Sequence, residues 1–185
     1  MDVIVLAGGA GSRLGGRDKA AVLLAGRPLL DRLLDAVPAD SRVVVVGPVR
    51  EVPRPVVWAR EDPPGGGPVA ALAAGLADVP EGSGLVAVLA VDQPGVTSAT
   101  LVRLRAALTA DADGVVLTDA DDRPQWLVGV WRTERLRAAL PLRTEGAALG
   151  RTLAALSVLR IPAENAEAHD VDTPEDLVRW RARAE

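Results

Sequence analysis

Val3-Ile4-Val5-Leu6-Ala7-Gly8-Gly9-Ala10-Gly11-Ser12-Arg13 is the stretch on which the reading of this chain turns. Its unbroken apolar run predicts a short strand buried on both faces, the pattern of a parallel sheet. The glycines end that strand and leave a backbone that turns tightly. Successive main-chain N–H groups in such a turn bind anionic oxygens, and Ser12, Arg13, Arg17 and Lys19 stand close by. The segment therefore reads as a phosphate cradle, or more plainly as a strand-to-helix turn carrying solvated cations. Two commoner glycine motifs do not fit. The dinucleotide fingerprint fails because its third glycine, counted from Gly9, falls on Leu14. The P-loop fails because Gly11 and Gly16, though correctly spaced, are followed by Arg17-Asp18 instead of Lys and a hydroxyl residue.

Outward from this segment, strands and helices alternate. Val43 to Val46 is a second buried strand and Val56 to Trp58 a third. Leu29, Leu30, Leu33, Leu34 and Val37 recur at helical spacing, with Pro38 ending the helix. The loop Glu61 to Pro68 opens a helix running to about Ala77, and Leu85 to Ala90 is a fourth strand. Leu101, Leu104, Arg105 and Leu108 mark a further helix. Val115 to Leu117 and Trp126 to Val130 are strands separated by an acidic turn at Asp119 to Arg123. Thr133 to Leu140 and Gly146 to Leu156 read as helices, and Ser157 to Ile161 as a last strand. Thr173-Pro174-Glu175-Asp176 has an N-cap residue, a proline at the first helical position and an acidic first turn. The pattern predicts an α/β fold: three α/β/α layers around a mostly parallel, Rossmann-like central sheet, in a single domain over residues 1–185. In such sheets ligands sit beyond the carboxyl ends of the strands. The glycine loop, Asp62 and Asp92 each follow a strand and should gather on one edge.

Composition narrows the chemistry. Cysteine is absent, which removes disulfides, thiolate metal sites and thiol nucleophiles. The one histidine, His169, is too few for a His-based zinc site and reads as a loop residue. A net charge of −4 argues against a nucleic-acid partner. The apolar runs are too short to cross a bilayer, and no basic segment precedes the first of them. The expectation is a cytoplasmic protein with no membrane partner.

The chain resembles the molybdenum cofactor guanylyltransferases, within the nucleotide-diphosphosugar-transferase fold. The likeness begins with Leu6-Ala7-Gly8-Gly9 to Lys19 and continues in order along the chain. Gly26-Arg27-Pro28-Leu29 is similar to the family's Gly-x-Pro-Leu segment. Glu61-Asp62 with Gly67-Pro68-Val69-Ala70 is similar to its acidic residue and Gly-Pro-Leu-Ala segment. Val91-Asp92-Gln93-Pro94 resembles its metal-binding Asp-Thr-Pro. Asp122-Arg123-Pro124-Gln125 to Gly129 resembles its central acceptor-side strand. Asp170-Val171-Asp172-Thr173-Pro174-Glu175-Asp176-Leu177 resembles its Asn-x-Asn-Thr-Pro-Glu-Asp-Leu.

The resemblance implies Mg²⁺-dependent transfer of GMP from GTP to the terminal phosphate of molybdopterin, with release of pyrophosphate. Arg13 and Lys19 are the expected catalytic cations. Leu6, Ala7, Gly8, Gly9, Gly11, Ser12, Lys19, Asp62 and Asp92 are expected to bind nucleotide. Asp92 and Asp172 are expected to hold the metal, with Asp170 the other candidate for the second position. Leu-Ala-Gly-Gly accompanies guanine in the family, whereas related cytidylyltransferases tend to have Leu-Ala-Ala-Gly. Asp62 would then meet either N1–H and N2–H₂ of guanine or the ribose. Two departures stand out: Asp170 and Asp172 replace asparagines, and Gly47 replaces an asparagine after the second strand. Expected partners are GTP and a molybdopterin-type cofactor, with transient contacts to molybdoenzymes or their chaperones. Arg123, Gln125 and Arg143 are acceptor-side candidates, while Trp126 and Trp131 read as core. The rivals are the same chemistry with CTP or on phospholactate or a sugar phosphate, and a non-catalytic nucleotide-binding protein.

Overall fold

The computed structural model describes residues 1–8, 10–11 and 17–184. Its main sheet has seven strands in the order β11 (Val158–Pro162), β9 (Gly114–Thr118), β10 (Pro124–Arg132), β8 (Leu85–Ala90), β1 (Asp2–Leu6), β6 (Val43–Val46) and β7 (Val57–Ala59). At its centre β1 lies parallel to both β6 and β8. β7 continues the parallel pairing beyond β6. On the other side, β10 runs antiparallel to β8 and to β9. β11 closes that edge, parallel to β9.

Why the central strands read as unbroken apolar runs is visible in β1. Val3 and Val5 enter one core while Ile4 and Leu6 enter the other. The first core is covered by α1 (Leu29–Ala36), α3 (Ser98–Ala107) and the apolar side of α6 (Pro174–Ala184). The second is covered by α2 (Pro68–Ala77), α4 (Thr133–Ala139) and α5 (Leu149–Leu153). These are the three layers that the alternating pattern predicts. Trp131 is fully buried on the second face. Its ring lies over Gly114, where an added Cβ would come within 2.2 Å of the indole. Trp126 is only partly buried but packs against the same core.

Two parts of the fold differ from the sequence reading. The helix expected over 146–156 is only Leu149–Leu153, because Gly146 takes φ +67 and the chain turns at 144–147 first. The glycine segment does not lead directly into a long helix. Two short ladders follow β1: β2 (Ala10–Gly11) with β3 (Arg17–Asp18), and β4 (Leu23–Leu24) with β5 (Arg27–Pro28). Between them Lys19–Ala21 form one 3₁₀ turn, in which the Asp18 side chain caps the N–H of Ala20. That turn aims Lys19 back at the carboxyl edge of the sheet.

Candidate active site

The site grows from the carboxyl ends of β1, β6, β7 and β8. β8 ends at Ala90, and Val91 N–H still bonds to Leu6 O at 3.1 Å, so Asp92 emerges beside the end of β1. The chain before α6 is drawn to the same place, because Val171 N–H donates to Asp92 O at 2.8 Å. Asp172 is thereby set next to Asp92. Lys19 reaches both: its Nζ donates to Asp92 Oδ2 at 2.8 Å and to Asp172 Oδ1. Burial lowers the Lys19 pKa, but the hydrogen bonds and charges of the two aspartates outweigh it and raise the group above its ordinary value. Asp170 is raised in turn by burial and by the charges of Asp172 and Asp92. Two carboxylates thus share one ammonium at this end of the site.

Asp18 does two jobs below Lys19. Its Oδ1 caps Ala20 N–H at 3.1 Å, and its Oδ2 takes a charge-assisted bond from Arg50, in the loop after β6. The N-terminal turn is therefore tied to the next strand of the sheet.

A cavity of about 730 Å³ opens beside these residues, a size suited to a nucleotide. Leu6, Ala7 and Gly8 form one wall, Gly47 and Pro48 another. Lys19 and Asp92 stand at one end, and Arg60, Glu61 and Gly65 line the loop after β7. Of the residues that the sequence assigns to nucleotide or metal, the structure gathers Leu6, Ala7, Gly8, Lys19, Asp92 and Asp172. Asp62 is exposed and does not line this cavity, whereas its neighbour Glu61 does. Gly9, Ser12 and Arg13 lie outside the described residues. Asp18, Arg50 and Glu61 are the additions that the structure makes. Glu61 was visible in the sequence beside Asp62, but no spacing rule chooses between adjacent acids in an irregular loop.

On β10, Gln125 is held by side-chain hydrogen bonds. Its Nε2 donates to Asp119 Oδ2 at 3.2 Å, and its Oε1 accepts from Gln93 Nε2 at 3.3 Å. Arg123 and Arg143 are exposed. α6 is capped reciprocally: Asp176 N–H bonds to Thr173 Oγ1 at 3.2 Å, and Asp176 Oδ2 accepts from Thr173 N–H at 2.8 Å and Asp172 N–H at 3.0 Å. Burial works to raise the Asp176 carboxyl, but the bonds from Arg179, Thr173 and the backbone prevail and hold it down at about 2.

The model of the MobA-like NTP transferase domain matches residues 3–160, from the first strand to the last. The chain belongs to the MobA-like NTP transferase family. The family name and the geometry agree on a nucleotidyltransferase. A relative named probable molybdenum cofactor guanylyltransferase, from Deinococcus radiodurans, is 33% identical over 98% of this chain and 94% of its own length. A molybdenum cofactor guanylyltransferase from Rhodobacter capsulatus is 34% identical over 97% of this chain and 94% of its own. Among solved structures, the molybdopterin-guanine dinucleotide biosynthesis protein A of Archaeoglobus fulgidus superposes with a TM-score of 0.79. It covers 100% of this chain and 98% of that one, at 23% identity. The 2-C-methyl-D-erythritol 4-phosphate cytidylyltransferase of Thermus thermophilus superposes at 0.73, covering 98% and 97% at 21% identity. The MobA-like fold is thus shared with enzymes named for another nucleotide. No helix among the described residues is long and apolar enough to cross a membrane.

Proposed function

We propose that this nucleotidyltransferase moves GMP from GTP to the terminal phosphate of a molybdopterin-type cofactor. An acceptor phosphate oxygen forms a bond to the α-phosphorus, the bond from that phosphorus to the bridging oxygen breaks, and pyrophosphate leaves with the electron pair. The observation that carries the reading is Lys19, fixed between Asp92 and Asp172 at the mouth of a nucleotide-sized cavity walled by Leu6 to Gly8. The base and the acceptor come from the two relatives that match nearly end to end.

Phosphoryl chemistry of this kind asks the protein for alignment and charge neutralisation. In this reading Lys19 supplies fixed positive charge toward the triphosphate and the departing pyrophosphate, together with Arg13. The walls formed by Gly8, Gly47 and Glu61 hold the nucleoside and keep the α-phosphate near Asp92. Mg²⁺ fits the acids present. Two carboxylates converge on one cationic group, Lys19 Nζ. That suits a metal held by one or two carboxylates and completed by phosphates and waters. Asp92 and Asp172 would hold it, and when bound it would polarise phosphate oxygens and neutralise developing charge. The reading carries with it a cytoplasmic location, a single domain over 1–185, and handover of product to molybdoenzymes or their chaperones.

The test is pyrophosphate release with molybdopterin as acceptor and each of the four nucleoside triphosphates as donor. Turnover is expected with GTP. Turnover with CTP and none with GTP overturns the guanine assignment, and GTP binding with no release on this acceptor overturns the acceptor.

A further inference from the structure

Lys19 is carried by a segment with little stability of its own. It opens a single 3₁₀ turn between two ladders of two residues each, and pieces that short do not support themselves. From Ala20 onward the segment is held by burial, since Ala20 and Leu24 are fully enclosed in the first core. On the other side of Lys19 the hold is electrostatic. Asp18 caps Ala20 N–H at 3.1 Å with Oδ1, and its Oδ2 accepts a charge-assisted bond from Arg50. Arg50 is itself fastened. Its Nε and Nη2 both donate to Pro48 O at 3.3 Å. Gly47 N–H donates to Ala59 O at 2.9 Å, which ties this loop to β7. A line of bonds thus runs from β7, through the loop after β6, to the residue before Lys19. Pro48, Asp18 and Lys19 all line the nucleotide-sized cavity, so the clasp joins two of its walls.

We propose that Arg50 is a positioning residue for the transfer reaction, acting through Asp18 to fix where Lys19 presents its ammonium. This rests on the nucleotidyl-transfer reading above. A guanidinium suits the task because its flat fork meets Asp18 and Pro48 O together, which a single-point ammonium does not. The clasp also keeps Asp18 compensated. Without Arg50, a bare carboxylate would stand on the wall of a cavity assigned to a triphosphate. Arg50 itself is not part of the cavity lining, so its effect on turnover passes through Asp18 and Lys19. Misplacing a catalytic group by about 1 Å costs up to ~10²-fold in rate. The loss on removing Arg50 is bounded by what Lys19 itself supplies.

The test is a double-mutant cycle on the full chain, read as kcat for pyrophosphate release with GTP and molybdopterin. Arg50→Met is expected to lower kcat by ~10- to ~100-fold in the wild type. In Lys19→Met the same change is expected to cost under ~2-fold, because residues that act as one unit are not additive. Arg50→Lys keeps a charge beside Asp18 and is expected to lose nearly as much as Arg50→Met. Equal losses in both backgrounds would mean a contribution independent of Lys19 and overturn the proposal. Full turnover in Arg50→Lys would mean that Arg50 only compensates Asp18, and overturns it too. A second arm needs no turnover. Lys19 is the only lysine in the chain, so protein labelled with ¹³C-lysine gives a single Cε signal. Its two Hε protons should be resolved in the wild type, where the stem is pinned, and should merge in Arg50→Met. Protons that stay resolved at unchanged shifts in Arg50→Met overturn the proposal. Absence of turnover in the wild type would instead overturn the transfer reading, and the lysine signal would still decide the clasp.

Discussion

Lys19 compensates two carboxylates at once, so its removal should alter both turnover and stability. Lys19→Met keeps most of the aliphatic stem and deletes the ammonium. Loss of one fixed electrostatic contact to a transition state costs about 10²- to 10³-fold in kcat, and that is the expected fall in pyrophosphate release. The same change leaves Asp92 and Asp172 facing each other without the ammonium that they share in the wild type. The variant should therefore melt at a lower temperature in chelator. It should also gain more from added Mg²⁺ than the wild type does, since the ion meets no resident cation. Thermal denaturation of both proteins with and without Mg²⁺ checks this, and equal gains would show that the ammonium does not occupy the metal's position. Asp176 gives a second prediction. Folded Asp176 releases its proton at about 2 against an ordinary value of 3.8. Its stabilising share is thus complete above about pH 4 and is lost as the pH falls toward 2. Asp176→Asn should melt below the wild type at pH 7, and the gap should close on acidification.

At the scale of elements, the loop between β11 and α6 matters most, because it carries Asp170 and Asp172 without any regular structure of its own. It is held from both sides. Glu167, nearly buried, accepts from Thr100 Oγ1 at 2.6 Å and from Arg103 on α3. Gly95 lets the loop approach so closely that a Cβ there would lie 2.3 Å from Ala166 O. Gly95→Ala must push backbone aside. It should cost about 1–3 kcal/mol, the usual range for overpacking, and lower turnover by displacing Asp172. Urea denaturation alongside pyrophosphate release checks both effects. Thr173→Ala, which deletes only the cap of α6, should cost about 1 kcal/mol. This loop also marks the limit of sequence reading. The central strands were legible because burial on both faces forces unbroken apolar runs, as in Val3 to Leu6 and Val43 to Val46. Thr173-Pro174 was legible because capping is local chemistry. That β10 runs antiparallel was not, since strand direction leaves no mark on an apolar run. Nor was the choice of Glu61 over Asp62 as the lining residue, which depends on how an irregular loop turns. α5 is shorter than its apolar spacing predicts, because Gly146 at positive φ breaks the pattern before Leu149.

At the scale of the whole molecule, the site joins parts of the chain that are distant in sequence. Leu6 to Gly8 follow the first strand, Asp92 follows the fourth of the central strands in chain order, and Asp172 precedes the last helix. A ligand that contacts all of them must stabilise the fold as a unit, by RT ln(1 + [L]/Kd), or about 2.7 kcal/mol at a hundredfold excess over Kd. For a chain of this length each kcal/mol raises the melting temperature by about 2–4 °C. GTP with Mg²⁺ at that excess should therefore raise it by about 5–11 °C, and chelation of the metal should remove most of the gain. Hydrogen exchange locates the effect. Protection should rise together at Leu6 to Gly8, at Lys19 and Ala20, at Val91 and Asp92, and at Val171 and Asp172. The opposite edge of the sheet, where Arg54 ties the chain after α1 through bonds to the carbonyls of Val37 and Ser41, should gain only the global increment. Protection confined to the N-terminal segment, with Val171 and Asp172 unchanged, would mean that the nucleotide is held by the glycine wall alone. The second carboxylate would then serve to seat Lys19 and not the metal.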